Sequence, residues 1–336
     1  MANNSLTQAK YWEKRSDGKI LCILCPRGCI IGEGKEGYCR HRVNKEGVLY
    51  AYFYGRISAS HMDPIEKKPL YHFFPGTWIY SIGTGGCNLG CRFCQNWELV
   101  KGPVPMDIVL PEELARISKA NGSIGIAYTY NEPTVWFEYV SDCSKEAKIQ
   151  GLKNVLVTNG YLNAEPWDKL LDLVDAANID LKSIRPEFYR KMSDGLVEPV
   201  KRNIAASVGR IHVEVTNLLI PGANDSTQEI EELVNFIASC SPDIPLHFSR
   251  YFPNYKYESP PTPLESLENA YEIARRKLKY VYLGNVRSAT GQDTLCHSCR
   301  NPLVKRSGYQ TRIVGLQPNS TCGNCGTRAN FKLPGL

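Results

Sequence analysis

The stretch GGCNLGCRFCQNWE, from Gly85 to Glu98, carries three cysteines at C-x3-C-x2-C spacing: Cys87, Cys91 and Cys94. Cysteine thiolates hold four-iron clusters, usually four thiolates to a cube. Three on one short loop hold three irons and leave the fourth open to a ligand from outside the chain. Zinc with three thiolates and an exogenous fourth ligand is the plainer alternative, and a cysteine loop without metal is plainer still. The Thr84-Gly85-Gly86 run before the triplet, and its place at the end of a strand candidate, favour the cluster.

Two further groups have ligand-like spacing. Cys296, Cys299, Cys322 and Cys325 form two C-x2-C knuckles separated by 22 residues, the pattern of a zinc ribbon. A rubredoxin-like iron site suits the same four-sulfur shell. His297 sits inside the first knuckle, but four thiolates already complete the shell. Cys22, Cys25, Cys29 and Cys39 are spaced C-x2-C-x3-C-x9-C. They suffice for a structural zinc or an auxiliary iron–sulfur cluster, and spacing leaves both open, the short C-x2-C leaning to zinc. Of the 13 cysteines only Cys143 and Cys240 stand apart, in helical-looking segments where they read as small core residues.

These sites need a scaffold. The 336 residues are 43% hydrophobic and 22% charged, a globular composition with ample length for a core. A formal charge of +6 is a mild bias. It suits anionic partners without implying nucleic acid. No apolar run reaches the roughly 18 residues of a membrane span, and the polar start MANNSLTQAKYWEKRSDGK has no signal-peptide core. The expectation is a soluble, cytoplasmic protein, in which clustered cysteines bind metal rather than form disulfides.

From Thr77 to about Val286, strand candidates alternate with amphipathic helical patterns. The strand candidates cover residues 77–83, 123–129, 154–160, 177–183, 211–222, 244–251 and 280–286. This alternation predicts an α/β fold with a helix-covered parallel sheet. Six or seven uninterrupted units suit a barrel or part-barrel. The cysteine triplet stands where a dinucleotide fold would have its glycine-rich turn, at a strand end where barrels carry chemistry. The expected organisation is a Cys-rich region over 1–76, a barrel over 77–289 and a ribbon over 290–336.

CNLGCRFC resembles the C-x3-C-x-aromatic-C signature of the radical S-adenosylmethionine superfamily. The resemblance implies a partial (β/α)6 barrel with a [4Fe–4S] cluster whose open iron chelates S-adenosylmethionine. One electron then cleaves the sulfonium bond to give methionine and a 5′-deoxyadenosyl radical, which abstracts hydrogen from a substrate. Carried over residue by residue, it implies that Asn131 and Glu132 of AYTYNEPT support the methionine amino group, in place of a Gly-Gly-Glu run. It implies that Asp180 and Lys182 of IDLK face the cofactor and that Phe93 lies near the adenine. Asp180 and Lys182 also alternate along a strand, as a structural ion pair would. VTNG and IDLK are similar to strand ends of pyruvate formate-lyase activase-like proteins, but SRYFPNYK lacks the ribose-binding histidine expected there. LCPRGC, TYNEP, VTNGY, IDLKS, LLIPGAND, HFSRYFP and YVYLGNV together resemble the AmmeMemoRadiSam system radical enzymes. That resemblance implies Memo-like and AMMECR-like partner proteins and an electron donor such as flavodoxin or ferredoxin.

Two other classes compete. A non-catalytic iron–sulfur electron-transfer or metal-scaffold protein would explain the cysteines but not the NEP and DLK elements at strand ends. An RNA-modifying radical enzyme would use the ribbon and the basic charge, but no arginine-rich tract is present.

Overall fold

The computed structural model describes residues 6–334. Each of the seven strand candidates supplies a parallel strand of one sheet. These are β2 (Trp78–Gly83), β3 (Gly125–Tyr128), β4 (Lys153–Thr158), β5 (Ala176–Asp180), β6 (His212–Leu219), β7 (Leu246–Arg250) and β8 (Val281–Gly284). An antiparallel edge strand, β1 (Ala59–Pro64), pairs with β2 from Ala59↔Gly83 to Pro64↔Trp78. Strand order follows chain order from β1 to β8, and the two end strands do not pair with each other. The barrel is therefore partial and open.

Six helices follow β2 to β7 in turn: α1 (Pro111–Ala120), α2 (Phe137–Ile149), α3 (Ala164–Leu171), α4 (Glu198–Ser207), α5 (Thr227–Cys240) and α6 (Leu264–Ala274). That gives six strand–helix units and a seventh parallel strand. Their sequences explain the layering. In α5, Ile230, Leu233, Val234 and Ile237 recur at three- and four-residue spacing and all are buried. Ser226 caps this helix, accepting the Glu229 N–H at 3.2 Å. Glu229 does not complete a reciprocal box, because its carboxylate bonds Ser183 beyond β5. Cys143 is buried within α2, whereas Cys240 is half-buried at the end of α5. No described helix is long and apolar enough to cross a membrane.

The amino-terminal end of the sheet is floored by polar groups. Glu214 accepts from the His72 N–H at 2.7 Å, and its two oxygens lie 2.9 Å from His212 Nε2 and 2.6 Å from His247 Nε2. His72 Nδ1 is 2.8 Å from the Asn330 carbonyl, which only accepts, so Nδ1 carries the proton. Its Nε2 then accepts from the Tyr282 hydroxyl at 2.6 Å. Phe331 stacks on the His72 ring, centroids 4.0 Å apart. Arg306 donates to the Tyr71 carbonyl at 2.7 Å. The carboxy-terminal unit, with strands Thr294–Leu295, Pro302–Ser307 and Gln310–Ile313, is thereby bolted to the barrel floor. Tyr280, Tyr282, Leu303, Val304 and Phe331 form a second apolar core there.

This floor is acid-labile. Burial holds the His72 imidazole neutral, down to about 3, outweighing the pull of Glu214. Burial alone would raise Glu214, but its bonds to His212 and His247 hold it below the ordinary carboxylate range. Both groups therefore bind protons more readily when unfolded. Their stability contributions are complete above the ordinary values, about 6.5 for His and 4.3 for Glu, and decline as pH falls. Between pH 7.5 and 5 the thermal midpoint should drop, and His72→Gln, which cannot titrate, should flatten that drop. Equal pH slopes for the two proteins in a scanning calorimeter would refute the assignment.

The amino-terminal region forms small antiparallel pieces: Trp12–Lys14, Ile20–Cys22 and Ile30–Ile31 in one sheet, and a hairpin of Arg42–Lys45 with Val48–Ala51. It packs on the end of the barrel opposite the floor. There Asn163 beyond β4 donates to the Ile23 carbonyl at 2.8 Å, and Arg42 pairs with Glu138 of α2 at 2.7 Å.

Candidate functional site

The triplet loop leaves the carboxy-terminal end of β2, where barrels of this kind place their chemistry. Asn131, beyond β3, fixes its start. Its Oδ1 accepts the Thr84 N–H and its Nδ2 donates to the Gly86 carbonyl, each at 3.1 Å. Gly86 has φ +87°, and a Cβ there would lie 2.3 Å from the Cys39 carbonyl oxygen, so only glycine fits. The imidazole of His41 bonds the Gly85 carbonyl at 2.5 Å. Farther along, the Gly90 and Arg92 N–H groups donate to Ser193 and Met192, and Lys256 N–H donates to the Arg92 carbonyl at 2.8 Å. Tyr255 stacks on Trp97 with centroids 5.3 Å apart. Thus SRYFPNYK, which lacks the expected histidine, closes over the loop instead.

The triplet's sulfurs have polar neighbours. Cys87 Sγ accepts the Leu89 N–H at 3.4 Å, and the Asn159 amide lies 3.6 Å away. Burial pushes the Cys87 thiol well up, with Glu132 and Cys91 adding to it. A cation or metal must offset that cost. Lys182 stands beside the loop, its Nζ 2.9 Å from Asp180 Oδ2. Burial alone would lower its pKa, but Asp180 and Cys91 outweigh burial and hold the ammonium charged. The Asp180–Lys182 pair is therefore both an ion pair and a neighbour of the triplet.

Glu132 is buried and heavily engaged. Its Oε1 accepts from Thr134 N–H at 2.9 Å and the Thr158 hydroxyl at 2.7 Å, and its Oε2 from Asn159 N–H at 2.7 Å. Burial raises its pKa while these bonds pull it back. It ties the end of β3 to the end of β4, leaving lone-pair capacity on Oε2. Phe93 is buried against Phe188, centroids 5.8 Å apart. The structure thus gathers the triplet, Asn131, Glu132, Asp180, Lys182 and Phe93 around one loop.

Sequence reasoning missed Asn159, Asn88 and Arg27. Asn159 donates to Asn88 Oδ1 at 2.9 Å as well as facing Cys87, and Arg27 Nε donates to the Asn88 carbonyl at 2.5 Å. VTNG marked the position of Asn159 but gave it no role; Arg27 sits inside CPRGC, where only the cysteines attract notice.

The carboxy-terminal cysteines form a second centre. All four sulfurs of Cys296, Cys299, Cys322 and Cys325 lie within 4.8 Å of one another. Cys296 and Cys325 are 3.6 Å apart, Cys299 and Cys322 3.7 Å. Thiolates about 2.3 Å from one tetrahedral ion lie about 3.8 Å from each other, so this shell fits a single metal. The Thr327 hydroxyl and N–H hold the Cys325 thiol down at about 6. His297 faces Tyr280 at 3.2 Å and stands outside the shell.

An open α/β barrel with a cysteine triplet at the end of its first parallel strand is the arrangement of an S-adenosylmethionine radical enzyme. The Radical SAM superfamily model matches residues 81–237. The chain is 30% identical over 260 residues to GTP 3′,8-cyclase from Moorella thermoacetica, covering 75% of this chain and 68% of that one. It is 41% identical to an uncharacterized protein of Methanocaldococcus jannaschii, over 98% of this chain and 100% of the relative. It spans about half of other cyclases, for example 46% of the Geobacter sulfurreducens enzyme at 34% identity over 42% of this chain. SuiB from Streptococcus suis bound to its precursor peptide shares the fold, with TM-score 0.50 and 16% identity over 66% of this chain and 52% of that one. The chain belongs to the radical SAM superfamily. It is an enzyme, and membership implies S-adenosylmethionine-dependent radical chemistry with an iron–sulfur cluster.

Proposed function

We propose that Cys87, Cys91 and Cys94 hold a [4Fe–4S] cluster whose open iron takes S-adenosylmethionine, and that the enzyme is of the AmmeMemoRadiSam type. The observation that carries this is the triplet loop itself: Cys87 Sγ receives the Leu89 N–H, and the loop's sulfurs have an amide and an ammonium, Asn159 and Lys182, as neighbours. When bound, the cluster and S-adenosylmethionine supply one-electron cleavage to methionine and a 5′-deoxyadenosyl radical able to abstract hydrogen. The chain's residues orient and shield. Asn131 holds the loop entrance, Glu132 offers an acceptor at the ends of β3 and β4, and Lys182 offsets negative charge beside Cys91. Phe93 and Asp180 line the same loop.

On this reading residues 1–76 form a metal-binding region, 77–289 the barrel and 290–336 a structural zinc ribbon, the closed four-sulfur shell leaving no position for chemistry. Memo-like and AMMECR-like proteins are its partners, and a ferredoxin or flavodoxin its reductant. Seven separate sequence motifs support that finer assignment. Anaerobically reconstituted protein given dithionite and S-adenosylmethionine should form 5′-deoxyadenosine and methionine in equal amounts; neither forming would end the catalytic reading. Adding the two partner proteins should produce a mass change in one of them or in a small molecule. No change in either would remove the subfamily reading alone.

A further inference from the structure

The amino-terminal cysteines sort differently from the ribbon. Cys22, Cys25, Cys29 and Cys39 line one narrow cavity together with Arg42 and Asn88. Yet among the described residues only the ribbon set brings three or more ligand atoms within 4.8 Å of one another. No three of these four sulfurs do so. A single tetrahedral ion requires separations of about 3.8 Å for every pair. A four-iron cube places each thiolate on a different iron and so holds the sulfurs farther apart. The triplet, in an enzyme whose family uses an iron–sulfur cluster, is likewise not drawn into a single-ion shell.

One buried cation, Arg42, lines the cavity. The Arg42 side chain is 1% exposed. Its Nη1 bonds Glu138 and its Nη2 the Val135 carbonyl, while its Nε has no partner. A buried donor facing a thiol-lined cavity without a partner calls for an acceptor there.

We infer that Cys22, Cys25, Cys29 and Cys39 hold a second four-iron, four-sulfide cluster, not zinc. The two iron sites share a wall. Asn88 lines the amino-terminal cavity, and its side chain accepts from Asn159, the residue facing Cys87 Sγ. The Cys39 carbonyl abuts Gly86 on the triplet loop. The second cluster therefore lies on the flank of the radical site, held by four thiolates with no open iron. The inference deepens the reading above but rests on it only for the comparison with the triplet.

The test uses the full chain, reconstituted anaerobically, with iron, acid-labile sulfide and zinc counted and the dithionite-reduced protein examined by electron paramagnetic resonance. Wild type should carry about eight irons, two cubes, with one zinc in the ribbon. The triple variant Cys87→Ala/Cys91→Ala/Cys94→Ala should keep about four irons and a reduced-cluster signal. Cys25→Ser/Cys39→Ser should lose the complementary half. A triple variant with no iron and two zincs would overturn the inference and leave the triplet reading standing. Wild-type iron that the triple variant retains in full would instead sink the triplet reading while supporting this one. The triple variant leaves the amino-terminal cysteines intact, so it decides even if Cys25→Ser/Cys39→Ser fails to fold.

Discussion

Replacing any one of Cys87, Cys91 and Cys94 with alanine is expected to reduce 5′-deoxyadenosine formation under dithionite to background. Each thiolate binds its own iron, so removing one leaves the cube under-ligated and labile. No other thiol can substitute from the same loop, because Cys87, Cys91 and Cys94 are its only cysteines. Its neighbours include Asn159, an amide, Lys182, a cation, and Glu132, whose carboxylate is already engaged by Thr134, Thr158 and Asn159. Cys143→Ala is the matched control: Cys143 is buried in α2 and belongs to none of the three spaced cysteine groups, so its loss should leave turnover intact. Turnover surviving in the triplet variants, measured by chromatography of 5′-deoxyadenosine, would refute the assignment.

Cys322→Ser should release the ribbon's metal and loosen the whole carboxy-terminal unit. A structural four-thiolate zinc contributes an apparent binding free energy of about 10–16 kcal/mol at neutral pH, and that energy is folding energy. Cys322 is buried in the same small core as Leu303, Val304 and Phe331, so losing the metal disturbs that core as well as the knuckles. The damage should spread, because Phe331 stacks on His72 and Arg306 bonds the Tyr71 carbonyl beneath the barrel. A thermal midpoint lower by roughly 10 °C is expected, at ~2–4 °C per kcal/mol with only part of the metal's contribution felt by the barrel. Trypsin should then cut first within 290–334. Unchanged protease resistance and solubility would count against a structural role.

The scaffold was legible because its signals are local. Each parallel strand is a short apolar run, and each covering helix repeats apolar residues within four positions, as in Ile230, Leu233, Val234 and Ile237 of α5. The triplet was legible for the same reason, being confined to one loop. The antiparallel β1 was harder: Ala59–Pro64 reads ASHMDP, with no alternating apolar face, and exists because β2 offers it a partner. The polar floor was not legible at all. His212, Glu214 and His247 look like stray polar residues within strands until folding brings them onto one carboxylate. Arg27, His41 and Asn159 were hidden likewise, since each acts on the triplet loop from a distant part of the chain. Spacing revealed that the amino-terminal cysteines form a group but not which metal they suit, because that depends on sulfur separations a sequence does not contain.

The open barrel has a consequence for the protein's behaviour in concentrated solution. A sheet that does not close presents a last strand with one free edge, a template for another chain to add to. On β8 the outward groups of Leu283 are taken up: its N–H donates to the Gly291 carbonyl at 3.0 Å, and its carbonyl accepts from the Gln292 amide at 2.7 Å. That guard is a turn in the segment leading directly into the knuckle at Cys296, and it is anchored by Asp293 accepting the Arg306 N–H at 2.8 Å. Stripping the ribbon's metal should therefore do more than unfold a small appendage: it should unclip the cover from a strand edge and expose a template for edge-to-edge aggregation.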